Sequence, residues 1–454
     1  MARKRAARAV AMLGIGLLMG LPAAAEEPLV RTGAAAFGDF TQDTPGVRRR
    51  ITVGDMPKPF ATRSASNGPS VVAAPAGALP KLPPGFTAER MLDRLDNPRA
   101  MRVAPNGDVF LADSAANRVL VLRLAPSGPP IRTEVFAKGL YGPFGIAFYP
   151  SGPRPQWIYV ANTNSVVRFP YQDGDLRARG AAQTVVASLP DGGHATRDIG
   201  FSPDDRRMYV SVGSASNVGQ RMGRKSAAEA AAWDGQQGIA GAGWGEEANR
   251  AAVLAFTPDG KSQRVFATGI RNCVGLAVQP AKGDVWCSTN ERDGLGDDLV
   301  PDYITRVKEG GFYGWPWYYM GNHEDPRLKG ERPDLNGKVT VPDVLLQPHS
   351  ASLQLAFYTG TQFPKQYQGD IFAAEHGSWN RTKRTGYKVI RVVLKDGVPT
   401  GEYEDFMTGF VLNSSTVWGR PVGVAVAADG SLLVSEDGNG TIWRVRYSGP
   451  GTQR

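Results

Sequence analysis

Cysteine and histidine are the scarcest reactive side chains of this chain: two and four in 454 residues. Two cysteines, Cys273 and Cys287, exclude the disulfide framework that holds small secreted folds together. A chain of this length buries a large core without one. No dense Lys/Arg tract follows the first few residues, so nothing argues for a nucleic-acid partner. Beyond the N-terminus no segment approaches 18 apolar residues, which leaves no candidate membrane span in the mature chain. Nucleotide and hydrolase signatures are missing too. The phosphate-cradling G-x-x-x-x-G-K-[ST], a strand-borne G-x-G-x-x-G and the nucleophile turn G-x-S-x-G do not occur. Few long helical patterns are present, whereas 55 glycines and 34 prolines point to many short strands and turns.

The first 25 residues have three parts. A basic start (Arg3, Lys4, Arg5, Arg8) precedes an apolar run from Ala9 to Leu21, and Ala23 to Ala25 offer small residues for cleavage. This is the pattern of a secretory signal peptide, and it predicts a periplasmic or secreted protein. Its removal takes four cations from the formal net charge of +9, leaving +5. Residues 26–82 follow as a Pro-, Ala- and Ser-rich stretch without sustained periodicity. It reads as an extended, partly disordered arm, free or draped over the folded body.

From residue 83 to about 450 one unit recurs. It is a short glycine-containing apolar strand, a turn carrying Pro, Asp or Gly, and a second apolar strand. Copies begin at Pro98, Gly142, His194, Arg271, Ser350 and Arg420. Sheets that cannot bury both faces alone pack radially, so six copies predict an all-β, six-bladed β-propeller with long insertions in the later blades. The last copy supplies only three strands. "GFTAERML", before the first copy, is expected to add the fourth and close the ring.

That architecture gives the scarce histidines a place. Residues just before each innermost strand face the mouth of the central channel, and those positions hold Arg99, Phe144, His194, Arg271 with Asn272, His349 and Arg420. Guanidinium forks around a concave site suit an anion with several carboxylates or phosphates. The stretch "EHGSWNRTKRTGYKVIRV" brings His376, Trp379, Asn380, Arg381, Lys383 and Arg384 towards the same mouth. A tryptophan beside cations suits a flat, anionic, aromatic ligand, and equally suits inter-blade packing. In "NERDGLGDDLVPD", Glu291, Asp293, Asp297, Asp298 and Asp302 suit either a hard cation or a solvated acidic loop.

"GHATRDIGFSPD", "GIRNCVGLAV", "GGFYGWP" and "EHGSWNRTKRTGYKVIRV" together resemble the soluble pyrroloquinoline-quinone (PQQ)-dependent sugar dehydrogenases, the sorbosone dehydrogenase-like and pyranose dehydrogenase-like branch above all. The resemblance covers roughly residues 85–447. It implies a quinoprotein that passes a hydride from an aldose, sorbosone or related aldehyde to PQQ, helped by Ca²⁺, with an electron acceptor outside the cytoplasm such as a cytochrome. On this resemblance His194 falls on the catalytic base. Arg271, Asn272 and Arg420 fall on cofactor-binding residues, and the loop around Asn380 and Arg381 falls where a lysine contacts PQQ. Arg99, His376 and Trp379 complete the expected cofactor set from the mouth. Glu291 and Arg292 align with residues whose backbone carbonyls hold the cofactor's Ca²⁺, and Tyr313 with a structural Ca²⁺ region.

Three positions depart from the better-known glucose dehydrogenase pattern. The acid expected to orient the base is replaced near Ser214, leaving Asp198 or another group for that role. An expected second arginine is Trp418, and an expected glutamate is Tyr303, beside Asp302. Two other readings remain in view: a Ca²⁺-dependent lactonase-like hydrolase, and a non-catalytic propeller that binds a protein or glycan. Cys273 and Cys287 flank a predicted hairpin turning near Ala281, close to opposite each other. An exported setting permits a disulfide there; two buried thiols are the alternative.

Overall fold

The computed structural model describes residues 29–449, so the expected signal peptide lies outside them. Six antiparallel blades of four strands form a β-propeller, five as separate sheets and the fifth blade within a six-stranded sheet. Blade one runs outward from Pro98–Val103 to Arg132–Lys138, and blade two from Gly145–Tyr149 to Gln183–Val186. Blades three, four and five begin at Ile199–Phe201, Cys273–Val278 and Ser352–Phe357. Blade six joins Pro421–Val426, Leu432–Glu436 and Thr441–Tyr447 to Phe86–Leu92 from the other end of the folded body. The ring closes as the repeat implies.

Glycine in the innermost strand has a steric cause. A Cβ on Gly275 would lie 2.3 Å from the Leu353 carbonyl, and one on Gly423 would lie 2.4 Å from that of Arg99. Neighbouring blades therefore meet backbone to backbone near the axis. Gln354 ties the innermost strands of blades one, five and six, since its amide bonds Met101 N and O and Val424 N. Between blades the packing is aromatic. Phe86 of the closing strand meets Phe363, Phe406 and Tyr447 at centroid distances of 4.8, 5.1 and 4.9 Å.

Two insertions stand on the mouth side of the ring. The blade-three insertion follows Met208–Val212 and carries Ala227–Gln237, the one α-helix among the described residues. The blade-four insertion follows Tyr303–Val307. They pack on each other through Trp244 and Trp317, 5.5 Å between centroids, and through Arg332 and Asp234 at 2.6 Å. Cys273 and Cys287 form a disulfide within blade four, so the paired alternative holds.

The arm is drawn onto the propeller. Arg48–Arg50 extends blade five by pairing with Val398–Met407, and Ser70–Val71 lies parallel to Thr416–Val417. Buried charges fix it: Arg49 bonds Asp405 and Asp43, while Lys388 reaches Asp43 at 2.9 Å and Asp405 at 2.7 Å. Two acids and two bases balance, which is what makes such burial tolerable.

Ring closure through Phe86 can be tested directly. Phe86→Ala is expected to lower stability by about 3–5 kcal/mol, the usual cost of emptying an aromatic core position. Urea midpoints measure it, and a loss within about 0.5 kcal/mol, the scale of a surface change, would detach the closing strand from the core. Alkylation of unreduced, denatured protein followed by mass spectrometry is expected to find neither Cys273 nor Cys287 modified.

Candidate active site at the propeller mouth

The mouth is built by residues that start the innermost strands and residues that end the second strands. They form two clusters. The first lies where blades three, four and five meet. His194 Nδ1 is 2.8 Å from the Ser214 carbonyl and 3.0 Å from Ser214 Oγ. That hydroxyl donates to the Ser216 carbonyl at 2.7 Å, so Nδ1–H donates to Ser214 O and Nε2 keeps its lone pair. Gly213 brings the base and an amide together: a Cβ there would lie 2.3 Å from Asn272 Oδ1 and 2.6 Å from His194 Cβ. Asn272 Oδ1 is itself buried and without a hydrogen-bond partner, an acceptor left open at the site. Burial first, and the Arg271 charge second, push the His194 pKa down to about 3. The ring is a neutral base across the working pH range.

Arg271 is held chiefly by neutral oxygens, with one carboxylate at longer range. Its guanidinium donates to Asn217 O (3.2 Å), Asn217 Oδ1 (3.1 Å) and Glu291 O (2.8 Å), with Asp293 at 3.6 Å. Asn380 Nδ2 donates to Asp293 Oδ1 and to His349 Nδ1, the latter at 3.0 Å. His349 Nε2–H donates to the Gly296 carbonyl at 3.1 Å, so this buried ring props the floor of the site.

The second cluster joins blades one, five and six around Asp437. Arg99 and Arg420 each reach it at 2.9 Å, and His376 Nε2 lies 2.9 Å and 3.1 Å from its two oxygens. Burial alone would raise the Asp437 pKa, but His376 and the two arginines hold it well below the usual carboxylate range. Two guanidinium charges thus face one carboxylate. Arg99 and Arg420 keep 14% and 30% of their side chains exposed, so the excess charge is presented to the mouth. Arg99 also lies over the Phe144 ring at 5.5 Å.

Other expected residues are placed differently. Arg381 does not face an open site: it donates to Phe37 O of the arm at 2.5 Å, to Lys383 O at 3.0 Å and to Asp298 at 2.6 Å. Trp379 stands on the rim, 53% exposed, its carbonyl accepting from Asn67 of the arm. Asp198 does not orient His194. Its carboxylate is spent on Arg102, Ile199 N and Leu276 N, and the Ser214 carbonyl takes the orienting role. Trp418 is buried against Phe410 and Trp443. A separate cavity of about 450 Å³, lined by Met101, Phe148, Ile199, Leu276 and Val424, opens at the other end of the channel. It is apolar and away from the clusters just described.

The donors for a quinone and for a metal differ in fit. Unbalanced arginines and a rim indole suit a flat polycarboxylate, and the Asn272 Oδ1 suits a hydrogen-bond donor on it. Ca²⁺ is served less well. The Glu291 carbonyl already accepts from Arg271, whose charge repels a cation. The Glu291 and Arg292 side chains pair with each other at 3.0 Å, and Arg292 turns on to Asp325. Asp302 accepts from Glu291 N and Ala351 N, and Tyr313 OH donates to Arg306 O. Among the described residues no group of three or more His, Cys, Asp or Glu is arranged to hold a metal ion.

Asp437, the Ser214 carbonyl and Asn217 were not picked out from the sequence. The first two stand at or just beyond the end of a blade's second strand, a position the repeat also defines.

Comparison with known proteins agrees with the fold. The TrAA12-like family model matches residues 80–302 and 331–448, leaving out most of the blade-four insertion. The pyrroloquinoline quinone-dependent pyranose dehydrogenase of Coprinopsis cinerea is 24% identical over 438 residues. That match takes in 81% of this chain but only 54% of the fungal enzyme. The Trichoderma reesei carbohydrate-active enzyme of family AA12 superposes with a TM-score of 0.66 at 19% identity, over 84% of this chain and 100% of that one. PQQ-bound aldose sugar dehydrogenase from Streptomyces coelicolor gives 0.54 at 20% identity, over 80% and 99%.

The depressed His194 pKa fixes the sign of a pH effect. An unfolded histidine titrates near 6.5 and the folded one near 3, so between these values the unfolded chain binds the extra proton. The associated stability is full above about pH 6.5 and is lost as pH falls towards 3. His349 works in the opposite sense, because Asp293 raises its pKa against the effect of burial. The informative comparison is therefore His194→Gln with the parent protein. Urea midpoints are expected to fall more steeply for the parent between pH 7 and 4.5; parallel curves would mean that His194 is not held neutral.

Proposed function

Because the chain belongs to the TrAA12-like family, we propose that it is an exported oxidoreductase that binds PQQ at the propeller mouth and oxidises a sugar, such as an aldose or sorbosone, or a related aldehyde. The observation that carries this reading is the pairing of a neutral histidine, its Nε2 free, with two arginines that outnumber their one carboxylate. Residues 83–450 form the catalytic domain in this proposal, and residues 26–82 the arm that rims it. The N-terminal signal pattern and the disulfide support export.

Bound PQQ would supply the hydride-accepting quinone. The chain's own residues do the rest. Arg99 and Arg420 bind carboxylate groups through their unspent charge, and Arg271 adds a third cation at the far side of the mouth. Asn272 offers its open Oδ1 to a ligand donor. His194 Nε2 takes the substrate hydroxyl proton while Nδ1–H stays on the Ser214 carbonyl, which stabilises the imidazolium that forms. Trp379 and the arm limit the approach of water at one edge. No step is assigned to Ca²⁺, for the reasons of donor fit given above. Electrons leave to an acceptor outside the cytoplasm, with a cytochrome the simplest form. A lactonase-like site would need acids free to converge on a metal, and here Asp293, Asp298 and Asp437 are engaged by cations.

Titration of PQQ into apoprotein, with and without Ca²⁺, followed by dye reduction against aldoses, sorbosone and simple aldehydes tests the proposal. His194→Ala is expected to lose ~10²–10⁴-fold in turnover while retaining PQQ. Arg420→Ala is expected to weaken PQQ binding by about 10–100-fold, as a charge-assisted hydrogen bond is worth. Absence of PQQ binding under every condition would overturn the reading.

A further inference from the structure

Asn217, in the blade-three insertion, meets Arg271 and Asp293 with its carbonyl and both polar atoms of its side chain. Its carbonyl accepts from Arg271 Nε at 3.2 Å and from the Trp315 indole at 2.9 Å. Its side-chain Oδ1 accepts from Arg271 at 3.1 Å and from Asp293 N at 2.9 Å, and Nδ2 donates to Asp293 O at 3.0 Å. This leaves one orientation for the amide: a flip would set NH₂ against two donors and Oδ1 against a carbonyl.

The chemistry of that arrangement is specific. A carboxylate in place of Asn217 could still accept from Arg271 but would cancel its charge and set an oxygen against the Asp293 carbonyl. A neutral amide aims the guanidinium without adding a second negative charge to that of Asp293, 3.6 Å away. Trp315 belongs to the blade-four insertion and is buried, so both insertions converge on this one residue. The insertions pack together through Trp244 and Trp317 and through Arg332 and Asp234. Their shared core thus ends at the atoms that hold Arg271.

We propose that Asn217 is the positioning residue for Arg271, and that the two insertions set through it the affinity of the mouth for a carboxylate-bearing ligand, not the rate of turnover. The part concerning PQQ rests on the function proposed above. Asn217→Ala and Asn217→Asp separate geometry from charge. Two measurements apply: hydrogen exchange in the apoprotein for the peptide spanning Asp293, and PQQ titration of the full chain.

Asn217→Ala is expected to speed exchange at the Asp293 amide by about tenfold or more, since its acceptor is gone. It is also expected to weaken PQQ binding by about 10–100-fold. Turnover at saturating PQQ should stay within about twofold, the mark of an interaction that serves binding alone. Asn217→Asp keeps both acceptors, so it should preserve the Asp293 protection and still weaken PQQ binding. Unchanged exchange and unchanged affinity in Asn217→Ala would overturn the proposal. So would faster exchange across the whole molecule, or a loss of turnover at saturation, because either marks a general structural role. If the parent protein takes up no PQQ, the proposed function fails on its own, and exchange at Asp293 still decides whether Asn217 holds this segment.

Discussion

A ring of sheets has no stable partial form: an unpaired fourth strand in one blade leaves an exposed edge and an open seam on both sides. Here the chain meets that constraint by sending Phe86–Leu92 to pair with Thr441–Tyr447. The two ends of the folded body are thereby tied at one blade. Arg420 and Asp437 belong to the tied blade and Arg99 to blade one beside it, so the cluster spans that junction. The anion-facing cluster therefore exists only when the ring is closed. Closure is the condition for the site as well as for the fold.

The arm adds a second layer of the same logic. Its strands lengthen blade five, and its carbonyls at Phe37 and Gly38 take the Arg381 guanidinium. Asn67 bonds the carbonyls of Arg381 and Thr382, and Arg384 returns a bond to the Asn67 carbonyl. A loop with three arginines or lysines in four residues would otherwise repel itself across the mouth. Backbone acceptors from the arm quiet it, and the charge left for a ligand is that of Arg99, Arg420 and Arg271.

What the repeat encodes was legible, because each copy states the same steric and apolar needs: glycine where blades touch, alternating burial, a turn between strands. Positions before the innermost strands could be counted off, which is why His194, Arg271, Asn272 and Arg420 were found together. The failures share a cause. Ser214 acts on His194 through its backbone carbonyl, and a carbonyl leaves no mark in a sequence. Arg381 looks like any other mouth arginine until its partner, more than 300 residues earlier, is folded beside it. Asp198 looked available because two of the groups that engage its carboxylate, Arg102 and Leu276 N, come from other blades. Asn217 sits in an insertion that obeys no repeat. Periodicity reveals the scaffold and the residues it repeats; singular contacts across blades need coordinates.

One electrostatic coupling operates inside the first cluster. Arg271, a cation that invites an anion, also lowers the basicity of His194 and is the largest charge acting on it after burial. A base held near pKa 3 stays unprotonated without help, yet it is weak for taking a proton from an alcohol. An anionic ligand seated against Arg271 offsets part of that positive potential and raises the ring's basicity towards the range where proton transfer is efficient. In the proposed function, therefore, an anion on Arg271 bears on the basicity of His194 as well as on binding.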